Sequence, residues 1–215
     1  MLVSAEIRWF WEGDIPSEWD RWFRSGPFPP GGGAARVDEY LLDPPQTELG
    51  VKRRGGKPGV EIKGLVCARF VQVRWGTLSG EAQLWAKWAS EAGLLENLPT
   101  VAIQKRRWLR KFDTAATPVR EIALDESELP SRHSEALLAE GCNLELTQLT
   151  LQTIRPKWWT LGFEAFGSLD SLRQNLVRAV EHVTESPAPE GAAGLELSYP
   201  AWLAHCARQF GFGRC

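Results

Sequence analysis

Apolar and polar residues alternate along much of this chain, and a period of two is typical of β-strands. In the clearest case, Glu6 and Arg8 fall on one side of a segment whose other side carries Ile7 and Trp9. The same pattern predicts eight strands, over residues 4–11, 36–42, 49–54, 60–73, 99–112, 119–124, 143–152 and 158–166.

Other stretches show helical spacing of apolar residues instead. After Thr77 the residues Leu84, Trp85, Trp88, Ala92 and Leu95 form such a stripe, and Ser79 could cap its start. Further helices are predicted after Pro16, over 131–140 and 168–183, and around Trp202. Segments rich in proline and glycine, 25–35 and 186–194, read as a loop and a linker.

These helices do not alternate strictly with the strands, which disfavours a doubly wound parallel sheet. We therefore predict an α+β fold, an antiparallel β-barrel with helices packed outside. One domain would span residues 1–215, with a C-terminal helical extension at 187–215.

Charged residues stand at alternate positions inside several of the predicted strands. Lys52 and Arg54 share one strand face, and Glu61 and Lys63 share another. Glu6 with Arg8, Glu145 and Glu164 have comparable positions in other strands. A closed sheet would bring these faces together in a polar interior, which would bind a polyanion with or without a metal.

Composition narrows the function classes. The net charge of −2 argues against general coating of nucleic acid, although basic strands with exposed tryptophans leave that interpretation open. Four cysteines lack the spacing of a zinc site. No apolar run approaches the roughly 20 residues of a membrane span, and the N-terminus reads as a strand rather than a signal peptide. We expect a soluble, cytoplasmic protein.

Seven segments, taken in order, carry a resemblance to a known family: EIRWFW at 6, VDEYLLD at 37, LGVKRRG at 49, VEIKGLV at 60, VAIQKRRW at 101, WTLGFEAFG at 159 and LSYPAWL at 197. Together they resemble the CYTH family, the triphosphate tunnel metalloenzymes, over almost the whole chain. The resemblance implies an eight-stranded antiparallel tunnel in which cations cradle a triphosphate and carboxylates hold a divalent metal.

Carried over to this sequence, the resemblance implies a set of site residues. Glu6 and Glu164 would be catalytic, and together with Glu145 they would hold Mg²⁺ or Mn²⁺. The phosphate-binding cations would be Arg8, Lys52, Arg54, Lys63, Lys105 and Arg107.

The acidic residues depart from the family pattern. The first strand of the family carries Glu-x-Glu-x-Lys, whereas this chain has Ser4-Ala5-Glu6-Ile7-Arg8, and the late strand offers a single acid, Glu164. Metal affinity would fall, and internal salt bridges from Glu6 and Glu164 to Arg8, Lys52 or Arg107 are an equal alternative. Two functions follow. The first is binding of an inorganic or nucleotide triphosphate with divalent-metal-dependent hydrolysis, and the second is a noncatalytic module that binds a phosphorylated ligand or serves in interactions.

Overall fold

The computed structural model describes residues 2–42, 46–91, 95, 98–131, 138–152, 156–191 and 193–211. Within them the chain forms ten strands and three helices. The strands are β1 (Leu2–Glu12), β2 (Gly31–Leu41), β3 (Leu49–Arg53), β4 (Val60–Trp75), β5 (Leu78–Ser90), β6 (Thr100–Asp113), β7 (Arg120–Ile122), β8 (Gly141–Leu151), β9 (Lys157–Phe166) and β10 (Leu195–Glu196). The helices are α1 (Ser17–Phe23), α2 (Leu172–Thr184) and α3 (Tyr199–Phe210).

Eight of the strands close into an antiparallel ring in the order β1-β5-β4-β3-β2-β6-β8-β9. The ring closes where β9 pairs with β1, with Glu6 opposite Glu164 and Arg8 opposite Gly162. β7 and β10 pair with β6 and β1 but lie outside the ring. The predicted α+β fold, a closed eight-stranded antiparallel barrel with helices outside it, is confirmed.

The outer face of the barrel carries the larger of two apolar cores. Ala5, Ile7 and Trp9 of β1 pack there with buried residues of α1 and α2. Alternation therefore turns their neighbours Glu6 and Arg8 toward the barrel interior. The apolar face of β1 explains why its charged residues can only point inward.

Helix α3 packs across one end of the barrel. Trp202 is fully buried and its ring stacks on that of Phe10, with 5.1 Å between the centroids. Phe10 lies on the same face of β1 as Glu6 and Arg8, so this apolar core fills one end of the interior. The Oγ of Ser198 caps the helix by accepting a hydrogen bond from the amide of Ala201 at 3.3 Å.

Two element predictions were wrong. Residues 78–90 form strand β5 rather than a helix, since Leu84 packs in the outer core while Trp85 is buried on the other face. Burial on both faces removes the alternation that marks a strand. Ala92 of the predicted stripe lies outside the described residues. The predicted loop over 25–35 ends early, since β2 begins at Gly31 and carries a bulge between Gly32 and Ala35.

A further predicted strand and a predicted helix also differ from the structure or lie partly outside the described residues. The predicted strand over 119–124 is the three-residue β7, which is not part of the ring. Most of the predicted helix over 131–140, residues 132–137, lies outside the described residues. In the part of the chain that is described, none of the helices has the length and apolar character needed to span a bilayer.

Candidate functional site

A cavity of about 600 Å³ lies inside the barrel. All nine charged residues predicted for the site line it: Glu6, Arg8, Lys52, Arg54, Lys63, Lys105, Arg107, Glu145 and Glu164. Among the described residues that line the cavity, eight side chains are cationic and four are carboxylates. The lining residues alone carry a formal surplus of four positive charges. Asp38, which contacts Arg36, and Glu128, which contacts Arg107, reduce it to two.

Five polar lining residues were missing from the predicted site: Arg36, Tyr40, Glu61, Lys87 and Tyr199. Lys87 was missed because β5 was interpreted as a helix. Tyr40, Glu61 and Tyr199 lie in segments that carried the family resemblance. The shared face of Glu61 and Lys63 was expected to point into the barrel interior, but Glu61 was not assigned a role.

Glu145 on β8 holds two arginines. Its Oε2 accepts a hydrogen bond from Arg8 Nη2 at 2.5 Å, and its Oε1 accepts one from Arg107 Nη1 at 2.7 Å. Burial alone would raise the pKa of the Glu145 carboxyl, but Arg107 and Arg8 outweigh it and lower the pKa below its usual range. Glu145 is therefore an anion that orients two cations toward the cavity.

Gly162 makes the contact between Arg8 and Glu145 possible. It lies on β9 between the two residues, opposite Arg8 on β1 and opposite Glu145 on β8. A Cβ at this position would lie 2.9 Å from the Arg8 guanidinium carbon and 2.9 Å from the Ile7 carbonyl oxygen. The glycine leaves the space through which the arginine crosses β9.

A second group of charges surrounds Lys87. Its Nζ lies 2.6 Å from Glu6 Oε1 and 2.6 Å from Glu164 Oε1. The other oxygen of Glu6 accepts a hydrogen bond from Lys63 Nζ at 3.1 Å. Burial opposes ionisation of Glu6, but Lys63 and Lys87 hold its pKa well below the usual range. The two carboxylates face each other across β1 and β9 with one ammonium between them.

A third group surrounds Asp38, which is fully buried on β2. Arg36 Nε donates a hydrogen bond to its Oδ1 at 3.1 Å, and Lys105 Nζ lies 3.8 Å from its Oδ2. Asp38 and Glu61 share Lys52, whose Nζ lies 2.9 Å from Glu61 Oε2. Burial would raise the pKa of the Asp38 carboxyl, but Lys105, Lys52 and Arg36 lower it.

Lys105 lies at the end of the cavity nearest to α3. Its Nζ donates a hydrogen bond to the hydroxyl of Tyr40 at 2.5 Å and lies 3.7 Å from the centre of the Tyr199 ring. Burial, and then the nearby charge of Lys52, lower the pKa of Lys105 well below its usual value. Burial also raises the pKa of Tyr199 to about 12, so its hydroxyl stays protonated.

Every carboxylate of the three groups is paired with at least one cation. Glu6 pairs with Lys63 and Lys87, and Glu164 pairs with Lys87. The alternative derived from the sequence had paired these acids with Arg8, Lys52 or Arg107. Among the described residues, no three His, Cys, Asp or Glu side chains are grouped so that they could hold a metal ion. The arrangement can attract and hold a strongly anionic group. The catalytic and metal-binding roles stay predictions.

Comparison with protein-family models finds no match, and comparison with curated proteins finds none either. Among solved structures, a conserved hypothetical protein from Pyrococcus furiosus is similar over 84% of this chain and 90% of its own, with 9% identity and a TM-score of 0.37. A similarity of this degree carries no argument about function.

Proposed function

We propose that the barrel binds a compound carrying a chain of phosphates, such as a triphosphate, in its interior cavity. The observation that carries the proposal is the cation surplus: the first six strands of the chain all place a lysine or arginine on the cavity wall. A triphosphate concentrates several negative charges in a short length, so cations from separate strands suit it. A volume of about 600 Å³ falls in the range of small-molecule sites.

Arg8 gives further support for an anionic ligand. Its Nη1 is buried and has no hydrogen-bond acceptor among the described residues. A buried donor without a partner is costly, and an oxygen of a bound phosphate would satisfy it. The resemblance to the CYTH family points to the same ligand class.

The shape of the cavity limits how the ligand enters. The core around α3, with Phe10, Tyr40 and Trp202, fills one end of the interior. The ligand would enter from the opposite side, where Leu2 is exposed, and would place a terminal phosphate toward Lys105. A terminal triphosphate fits this arrangement, and a polymer threaded through the barrel does not.

The residues around Glu6 and Glu164 fit an ammonium better than a metal ion. The Lys87 Nζ already contacts both carboxylates at 2.6 Å, and both oxygens of Glu145 are held by arginines. A magnesium or manganese ion would have to displace these cations. We therefore favour binding without a metal and without hydrolysis, the second of the two functions derived from the sequence.

Calorimetry with tripolyphosphate in EDTA tests the proposal. Replacing Lys52 by Gln removes a cation from the cavity wall, and we expect affinity to fall about tenfold, the effect of one charged hydrogen bond. Lys57→Gln is the matched control, because it removes an exposed lysine from the turn between β3 and β4. Equal affinity of the two variants would contradict the proposed site.

Metal-dependent hydrolysis is the second candidate function. The observation that favours it is that Glu6 on β1 and Glu164 on β9 lie directly opposite each other on paired strands. A phosphate-release assay with Mn²⁺ separates the two functions. We expect no release above background. Turnover that is lost in Glu164→Gln would overturn the noncatalytic interpretation and leave the binding site in place.

A further inference from the structure

The segment after β7, residues 123–131, brings the side chain of Glu128 to Arg107, a residue of the cavity wall. Residues 123–131 are held by their own backbone, with hydrogen bonds from the Asp125 amide to the Leu129 carbonyl at 2.8 Å and from the Ser131 amide to the Ala123 carbonyl at 2.9 Å. Of residues 125–129, all are exposed except Glu128. Within residues 125–129, the carboxylate of Glu128 is the one that turns toward the barrel.

Glu128 binds the guanidinium of Arg107 with both carboxylate oxygens. Arg107 Nε donates a hydrogen bond to Oε1 at 2.9 Å, and Nη2 donates one to Oε2. The two side chains are only 18% and 17% exposed. This two-point geometry is the one in which arginine binds a phosphate, so Glu128 occupies the donors that a phosphate ligand would use.

The backbone around Glu128 accommodates the contact at a steric cost. Glu128 has a φ of +64°, in the left-handed region that favours glycine over residues with a side chain. Gly32 on β2 supplies the space, since a Cβ there would lie 2.9 Å from Glu128 Oε1. The disfavoured conformation and the missing side chain both serve to bring the carboxylate to Arg107.

We propose that Glu128 is a built-in competitor for the phosphate of the ligand. In the free protein, the Glu128 carboxylate accepts hydrogen bonds from Nε and Nη2 of Arg107. When the ligand binds, two phosphate oxygens take the place of this carboxylate. Residues 123–131 then lose their contact with Arg107. The proposal rests on the proposed binding of a phosphate chain. It makes Glu128 a determinant of specificity, because a weakly charged anion cannot displace it.

The affinity of Glu128→Gln for tripolyphosphate tests this proposal. The neutral amide that replaces the carboxylate would bind the Arg107 guanidinium more weakly than the carboxylate does. We therefore expect this variant to bind tripolyphosphate about tenfold more tightly than the wild type, because the ligand no longer has to displace a charged contact. Glu126→Gln is the matched control: it removes the same charge from an exposed position two residues away. We expect it to bind like the wild type.

A second measurement separates competition from a structural role. In the wild type, tripolyphosphate should speed hydrogen exchange of the amides in residues 125–129, because the loop loses its contact with Arg107. Greater protection of these amides on binding, or a Glu128→Gln affinity equal to or below that of Glu126→Gln, would overturn the proposal. If no variant binds tripolyphosphate, the proposed function itself fails. The two failures are thus distinguishable.

Discussion

Lys87 contacts one oxygen of Glu6 and one of Glu164, each at 2.6 Å, and so takes the position between two facing carboxylates. Burial would lower the pKa of this lysine, but Glu164 and Glu6 raise it. The ammonium therefore stays charged and serves as the counterion of the pair. A metal ion bound between these two carboxylates would have to displace this ammonium.

Replacing Lys87 by Met should turn the carboxylate pair into a metal site. Without the ammonium, the two acids repel each other, and we expect the free energy of unfolding at neutral pH to fall by about 2 kcal/mol, less than for a fully buried pair. Added Mn²⁺ should restore it, as measured by urea unfolding. The exposed Lys57→Met is the control. Equal stabilisation of the wild-type protein by Mn²⁺ would contradict this account of Lys87.

Helix α3 closes one end of the barrel through Trp202, whose ring packs against Phe10 and Trp158. Removing a fully buried tryptophan leaves a large cavity in this core. We expect Trp202→Ala to lower the free energy of unfolding by about 3–5 kcal/mol. Urea unfolding would measure it against Trp88→Ala, since Trp88 is 44% exposed. Similar losses in both variants would show that α3 is not part of the core.

The strands that carry the predicted site residues could be identified from the sequence because a period of two fixes which residues share a face. Lys52 was placed on one strand face with Arg54 by this alternation, whereas Lys105 was assigned to the site by the family resemblance. Strand β5 could not be identified, because Leu84 and Trp85 are both buried, on opposite faces. Its apolar positions matched a helical period by chance, so the segment was interpreted as a helix. Lys87 was therefore not predicted as a residue of the barrel interior.

The sequence also could not predict which charged residues pair with each other. Which cation meets Glu6 depends on the order of strands in the ring, where β5 and β9 flank β1. Local alternation carries no information on that order. The contact of Glu128 with Arg107 depends on a loop conformation, for which the sequence gives no periodic signal.

The buried carboxylates make stability of the whole barrel depend on pH. The pKa values of Glu6, Glu145, Asp38 and Glu61 are lowered in the folded protein, in each case because neighbouring cations outweigh burial. Such groups stabilise the fold above their unfolded pKa, about 4 to 4.5, and this stabilisation is lost as the pH falls through their folded values.

We therefore expect the urea midpoint to fall steeply as the pH drops below about 4.5. Glu145→Gln should show a shallower fall in acid, because it has one titrating carboxylate fewer, while Glu126→Gln should match the wild type. A midpoint that stays constant into strong acid would mean that the ion pairs contribute little to the folded state.

The molecule as a whole is a barrel whose outer face forms the main core and whose inner face gathers cations around paired acids. Calorimetric titration with tripolyphosphate, in EDTA and at low and high salt, tests this account most directly. It predicts saturable binding without metal, an affinity that falls as salt rises, and no release of phosphate. Absence of binding in EDTA, with binding and hydrolysis appearing on addition of Mn²⁺, would contradict it.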